Sequence, residues 1–198
     1  RNPGCKVIVT GCCATLFPAK IKAALPSAEI VANKDKKNIP LLVSGHCAAQ
    51  WSVKGFRGRS RAFVKIQDGC KGNCAYCAVR LARPDLWSKT AGETAGEIKE
   101  LVRRGFCEVV LSGINIGNYR CPETGKGLEE LLEDIFALDG DFRVRLSSLE
   151  VRNVTGRLLE SGKKAGEKFC DHFHLPLQSG SDKVLRDMRR DYDTAFFE

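Results

Sequence analysis

Short β-branched runs alternate along this chain with segments of helical period. From Ala62 onward, AFVKIQ (62–67), EVVLSG (108–113), FRVRLSSL (142–149) and FHLPL (173–177) read as four strands. Between them, Thr94 and Glu97 in T-x-x-E spacing predict a capping box that opens a helix over EIKELVRRG. Ile98, Leu101 and Val102 share one face of that helix, and Gly105 is placed to end it. Leu128, Leu131, Leu132, Ile135 and Phe136 follow i, i+3, i+4 spacing and predict a second helix. A weaker helix is expected near 153–165, and Ser181 is suited to cap one carrying Val184, Leu185 and Met188. Strands alternating with helices imply parallel βα units. Upstream, CKVIVTG reads as a strand ending at Gly11, followed by a helix, a second short strand at 28–31 and a turn. From about Pro40 to Arg61 the chain turns irregular and basic, with Lys54, Arg57, Arg59 and Arg61 interleaved with glycines. The expected plan is a small α/β piece over 1–42, a basic linker over 43–61 and an α/β core over 62–198.

That register places function. In parallel α/β barrels the chemistry sits in loops at the carboxyl ends of the strands. Polar or glycine-rich clusters follow each expected strand: DGCKGNC after 62–67, GINIGN after 108–113, SLE after 142–148 and QSGS after 173–177. Ordinary βα turns also favour Gly, Ser and Asn, so the cysteines are what tip the balance toward a site.

Charge and thiol content narrow the class. A formal net charge of +8 favours a polyanionic partner such as nucleic acid, although solubility alone also accounts for it. No apolar run is long enough to span a membrane. Ten cysteines form no regular disulfide framework, which points to a reducing compartment and to metal-binding or catalytic thiols. Cys107, in FCEVVLSG, reads as a small core residue. Cys5, Cys13, Cys47, Cys121 and Cys170 are expected to be incidental.

Cys70, Cys74 and Cys77 stand in C-x3-C-x2-C spacing with Tyr76 directly before the last. Three thiolates can hold a 4Fe–4S cluster and leave one iron without a protein ligand. An open coordination position is the mark of a reactive rather than a structural metal. A zinc knuckle is the rival, and it needs a fourth ligand. Neither His46 nor the His172/His174 pair is suitably spaced to supply one.

Those residues, together with RSRAFVKIQDGCKGNCAYC, LSGINIGNY, VRLSSLEV and HFHLPLQSGSDKVLRDMRR, resemble the methylthiotransferase branch of the radical S-adenosylmethionine (SAM) enzymes. The likeness runs along nearly the whole chain and is strongest to the branch that modifies N6-threonylcarbamoyladenosine in tRNA. It implies a partial (βα) radical SAM barrel preceded by the end of a small α/β methylthiotransferase amino-terminal domain. It further implies that Cys70, Cys74 and Cys77 hold a 4Fe–4S cluster whose open iron chelates SAM, which an electron then cleaves to a 5′-deoxyadenosyl radical. Tyr76 would pack near the adenine, and Ser112, Gly113 and Asn115 would meet the methionyl group. Ser148, Glu150 and Gln178 would make polar contacts to the methionyl or ribose groups, with capping or supporting roles as the alternative. VTGCCA resembles the third cysteine motif of the family's first domain, so Cys12 would be one ligand of an auxiliary 4Fe–4S cluster.

The resemblance also implies tRNA as substrate, a reductant protein such as flavodoxin or ferredoxin, and a cytoplasmic location. Alternatives within reach are a methylthiotransferase acting on isopentenyladenosine in tRNA or on a ribosomal protein, and a non-catalytic metal-binding module. The sequence departs from the family at Pro84, where Ala-Arg-Gly is usual. It lacks the other two cysteines of the auxiliary cluster, about two βα units and the carboxyl-terminal RNA-binding domain. The expectation is a fragment, inactive by itself.

Overall fold

The computed structural model describes residues 5–45, 55, 58 and 60–198. Lys54, Arg57 and Arg59 of the basic stretch, with His46 and Cys47, therefore lie outside the described residues. Two compact units emerge. One joins the described residues up to 45 with 76–84, and the other joins 55–75 with 85–198.

In the first unit, β1 (Ile8–Thr10) pairs in parallel with β2 (Glu29–Val31), Ile8 opposite Glu29. The crossover carries α1 (Cys12–Leu16) and α2 (Pro18–Ala24); Pro18 opens α2 where no backbone N–H is required. After a 3-10 turn, IPLLVS forms α3 (Ile39–Ser44), closed by left-handed Gly45 at φ 71°. That helix corrects the expectation of irregular chain from Pro40. A proline in the first turn costs a helix nothing, because that N–H has no partner in the helix anyway. The short α4 (Val79–Ala82) completes this unit, whose small core is Ala14, Ala28, Val31 and Ala82.

The second unit begins with β3 (Arg61–Lys65), followed at once by β4 (Gln67–Asp68), which pairs antiparallel with β5 (Trp87–Ser88). The chain continues through α5 (Ala91–Arg103), β6 (Glu108–Ser112), α6 (Leu128–Phe136), β7 (Arg143–Leu146) and α7 (Gly156–Ala165). It ends with α8 (Asp182–Asp187) and α9 (Thr194–Phe197). Strands β3, β6 and β7 form one parallel sheet in that order, with Arg61 and Arg143 on either side of Glu108. Alternation along β3 sends Ala62 and Val64 into the core and leaves Arg61, Phe63 and Lys65 exposed. Ile98 and Leu101 of α5 and Leu131, Leu132 and Ile135 of α6 complete that core. The sheet, with these helices in one core, is the α/β architecture expected.

Two details of the pattern are corrected. The capping box that forms is Thr90 with Glu93, one repeat earlier than Thr94 with Glu97. The sequence TAGETAGE offers both frames, and Glu97 is taken by a buried ion pair with Lys89 while Thr94 Oγ1 donates to the Thr90 carbonyl. The fourth strand does not form as a ladder: only two parallel bridges appear, Val144 to Phe169 and Ser148 to His174. Between them the His172 N–H turns back onto the Cys170 carbonyl at 2.7 Å, a tight reversal that breaks the pairing. Pro176 then removes a donor from the same segment. Cys107 is exposed rather than in the core, because it lies in the turn between Gly105 and β6.

Glu108 is the polar centre of the sheet. It accepts from Arg145 Nε at 2.6 Å and from Arg143 Nη2 at 3.4 Å, and forms an ion pair with Arg61, whose Nε lies 2.6 Å away. Hydrogen bonding from Arg145, aided by the Arg145 and Arg61 charges, outweighs burial and holds the Glu108 carboxyl below its usual range. Stability from a depressed carboxylate is present above its unfolded value of about 4.3 and is lost as pH falls through the folded value. Glu108→Gln is therefore expected to remove part of the acid-side loss of unfolding free energy, and parallel pH–stability curves for the two proteins would contradict this. A second test concerns Gly162 in α7, where an added Cβ would sit 2.7 Å from the Phe169 ring. That ring is locked edge-on between Phe136 and Phe173. Helix propensity favours alanine by about 1 kcal/mol, but overpacking costs about 1–3 kcal/mol. Gly162→Ala should thus lower stability in urea denaturation, and a more stable variant would refute the packing account.

Candidate functional site

The loops that follow β3 and β6 converge through one side chain, Gln67. It is fully buried, and its Nε2 donates to the carbonyls of Asp68 at 2.9 Å and Gly69 at 2.7 Å. Its Oε1 accepts from the N–H groups of Ile114 at 3.1 Å and Asn115 at 3.0 Å. The amide thus fixes the entry to the cysteine loop against the turn after β6. Gly113 is required there, since a Cβ would lie 2.9 Å from the Gln67 carbonyl and 3.0 Å from Oε1. Asn115 is buried and caps the turn by accepting from the Gly117 N–H at 3.2 Å. Ser112 donates to the Val64 carbonyl at 3.3 Å, which ties its hydroxyl to the neighbouring strand.

In the cysteine loop, Cys70 and Cys74 flank Gly72. A Cβ on that glycine would lie 3.2 Å from Cys70 Sγ and 3.8 Å from Cys74 Sγ. The Gly72 N–H donates to Cys70 Sγ at 3.2 Å, and Arg190 Nη1 donates to Cys74 Sγ at 3.0 Å. Both sulfurs therefore accept a hydrogen bond from the protein. Tyr76 and Cys77, both exposed, open the segment assigned to the first unit. Among the described residues no three Cys, His, Asp or Glu side chains are gathered closely enough to hold a metal ion.

Glu150 follows β7 and pairs with Arg190 Nη2 at 3.3 Å. The Arg190 side chain is only 5% exposed. Burial works against its charge, but the facing Glu150 carboxylate and Cys74 sulfur more than offset it, so the guanidinium holds its proton more tightly than usual. Ser148 forms the isolated bridge to His174. Gln178 is exposed in a left-handed conformation at φ 71°, directly after Pro176 and Leu177, whose carbonyls accept from Tyr192 Oη at 3.1 and 2.9 Å. Gln67 and Arg190 escaped the sequence reading. Their partners lie up to 48 and 116 residues away, beyond the reach of any local spacing rule.

The first unit holds a separate thiol environment. Cys12 opens α1, and Asn33 Nδ2 lies 3.7 Å from its sulfur while also donating to the Ala82 carbonyl at 3.1 Å. A hydrogen bond from Arg83 is the main influence on Cys12; with Asn33 and the Arg83 and Lys36 charges it overcomes burial and lowers the thiol below its ordinary value. Among the cysteines expected to be incidental, Cys121 and Cys170 are buried. The described cysteines form no disulfide, and no described helix is long and apolar enough to cross a membrane.

Against known proteins, residues 64–197 match the family model of the radical SAM superfamily. Along its whole length the chain is 37% identical to the threonylcarbamoyladenosine tRNA methylthiotransferase MtaB of Thermotoga maritima and 32% identical to that of Bacillus subtilis, covering 48% of each. Over 69% of its length it is 38% identical to the tRNA-2-methylthio-N(6)-dimethylallyladenosine synthase of Carboxydothermus hydrogenoformans, of which it covers 31%. The chain spans about half the length of the curated relatives it matches end to end. Among solved structures, the cobalamin-dependent SAM radical enzyme OxsB, with aqua-cobalamin and SAM bound, superposes on 96% of the chain with a TM-score of 0.65 at 11% identity and 33% coverage of that chain. The radical SAM methyltransferase TsrM of Kitasatospora setae superposes on 68% with a TM-score of 0.55 at 12% identity, over 27% of its own length. These two likenesses speak for the fold. By the family model matched through its whole α/β core, this chain belongs to the radical SAM superfamily.

Proposed function

We propose that the chain carries the radical-generating core of a tRNA methylthiotransferase, one that converts N6-threonylcarbamoyladenosine beside the anticodon to its 2-methylthio derivative. The observation that carries this reading is the extent of the likeness. The superfamily model begins only at residue 64, whereas the Thermotoga and Bacillus methylthiotransferases match along the residues before it as well. The dimethylallyladenosine synthase of Carboxydothermus matches over 69% of the chain, which makes that substrate the second reading. A net charge of +8 suits a tRNA partner, because phosphate neutralisation supplies most sequence-independent affinity. A reductant such as flavodoxin or ferredoxin and a cytoplasmic setting belong to the same proposal.

The donor set suits an iron–sulfur cluster. Cys70 and Cys74 present sulfurs already met by N–H and guanidinium donors, and Cys77 supplies the third thiol by its place in the motif. When bound, the cluster supplies the electron that cleaves SAM and so yields the hydrogen-abstracting radical. The protein's share is binding, orientation and exclusion of water. Gly113 lets backbone approach the methionyl group closely, Gln67 and Asn115 hold that turn rigid, and Ser112 supports it from the strand end. Ser148, Glu150 and Gln178 offer polar groups to the methionyl or ribose atoms, and Tyr76 offers a ring to the adenine. Cys12, biased toward the thiolate by Arg83 and Asn33, suits one ligand of an auxiliary 4Fe–4S cluster.

Three measurements test this. Nucleosides from a strain lacking the gene and complemented with the full-length protein should regain the 2-methylthio derivative of threonylcarbamoyladenosine in mass spectra. Recovery of the dimethylallyl product instead would overturn the substrate assignment. In the reconstituted full-length protein, Cys74→Ala should abolish reductive cleavage of SAM to 5′-deoxyadenosine, and retained cleavage would refute the cluster assignment. Gly113→Ala should weaken equilibrium binding of SAM by roughly tenfold or more as the added Cβ displaces the turn. Unchanged affinity would remove Gly113 from the site.

A further inference from the structure

We infer that Arg190 is a positioning residue that sets the reduction potential of the cluster through a charged hydrogen bond to the Cys74 sulfur. The inference rests on the reading that Cys70, Cys74 and Cys77 bind that cluster.

The fold brings Arg190 to the sulfur by a specific device. Helix α8 ends in a double reversal: the Arg190 N–H donates to the Leu185 carbonyl at 2.8 Å, and the Arg189 N–H to that of Arg186 at 2.9 Å. This is a Schellman ending, and its left-handed position is normally glycine. Here it is Arg189, at φ 56°. The preceding Met188 carbonyl accepts from the Ala75 N–H at 3.0 Å, which fastens the helix end to the cysteine loop next to Cys74. Arg190 then donates through Nη1 to Cys74 Sγ at 3.0 Å and pairs through Nη2 with Glu150 at 3.3 Å, its cation lying 5.0 Å from the Tyr192 ring centroid. Tyr192 in turn donates to the carbonyls just before Gln178.

Placement of a full positive charge on a ligating sulfur has a definite electrochemical sign. Reduction adds negative charge to a cluster, and hydrogen bonds to the sulfurs and local net charge both tune its potential. A guanidinium on Cys74 favours the reduced form and raises the potential. Glu150 opposes it by sharing the same cation, so the two side chains act with opposite signs. A residue that merely held the loop together would leave the potential unmoved once the cluster had assembled.

The test uses the full-length protein reconstituted anaerobically with iron and sulfide, without SAM, and a reductive titration followed by electron spin resonance. Arg190→Met and Arg190→Gln should shift the midpoint to more negative values, and Glu150→Gln should shift it to more positive values. Arg190→Lys, which keeps a charge, should lie nearer the wild type than Arg190→Met. Should Arg190→Met fail to hold its cluster, the opposite shifts of Arg190→Gln and Glu150→Gln decide the matter. An unchanged midpoint in every Arg190 variant that holds a cluster, or a shift of Glu150→Gln in the same direction as Arg190→Gln, would overturn the inference. Absence of any cluster in the wild-type protein would instead defeat the reading on which it rests.

Discussion

Four hydrogen bonds to the buried amide of Gln67 decide whether this architecture has a site at all. The donors of Nε2 close on the carbonyls that lead into the cysteine loop, and Oε1 gathers the N–H groups of the turn after β6. A buried side-chain amide left unpaired costs about 1–3 kcal/mol per lost partner. The two loops are therefore held in register with one another or else both are penalised. A hydrophobic residue of the same size would fill the space and leave four backbone groups without their partner. The sheet beneath is built to bear this constraint, with β3 and β6 paired residue for residue up to Lys65 and Ser112, immediately before the amide takes over.

How far the sequence announced this depends on the range of the interaction. Period-two and helical patterns revealed β3, β6, β7, α5, α6 and α7, because each buries one face against a single core and the pattern lies within a dozen residues. Where two local solutions compete, the pattern is silent. Both TAGE repeats offer a cap, and only the Lys89–Glu97 pair, formed by folding, selects the first. The segment 169–177 has the composition of a strand, but the reversal at Cys170–His172 depends on how the chain meets Val144 and Ser148. α3 was hidden by a proline that reads as a breaker unless its position in the first turn is known.

The site shows the same division. Cysteines at C-x3-C-x2-C spacing, the glycine of GINIGN and the thiol of VTGCCA are local signatures, and they are legible because metal ligation and close backbone approach demand particular residue types. Gln67, Arg190, Arg83 and Asn33 carry no such signature. Each is an ordinary polar residue until the fold brings a sulfur or a distant turn within reach. The candidate ligands are thus written in the chain, and the residues that surround them are written in the topology.

Arg189 and Gln178 share a further property, since both sit in the left-handed region that side chains usually avoid. Such conformations cost of order 1 kcal/mol or more for a residue other than glycine and persist only where neighbours enforce them. Glycine at either place would relax the backbone and give a sturdier, looser polypeptide. The segments that deliver Arg190 and Gln178 would then wander among several poses. Backbone stability and fixed placement of these two side chains consequently pull on the two positions in opposite directions.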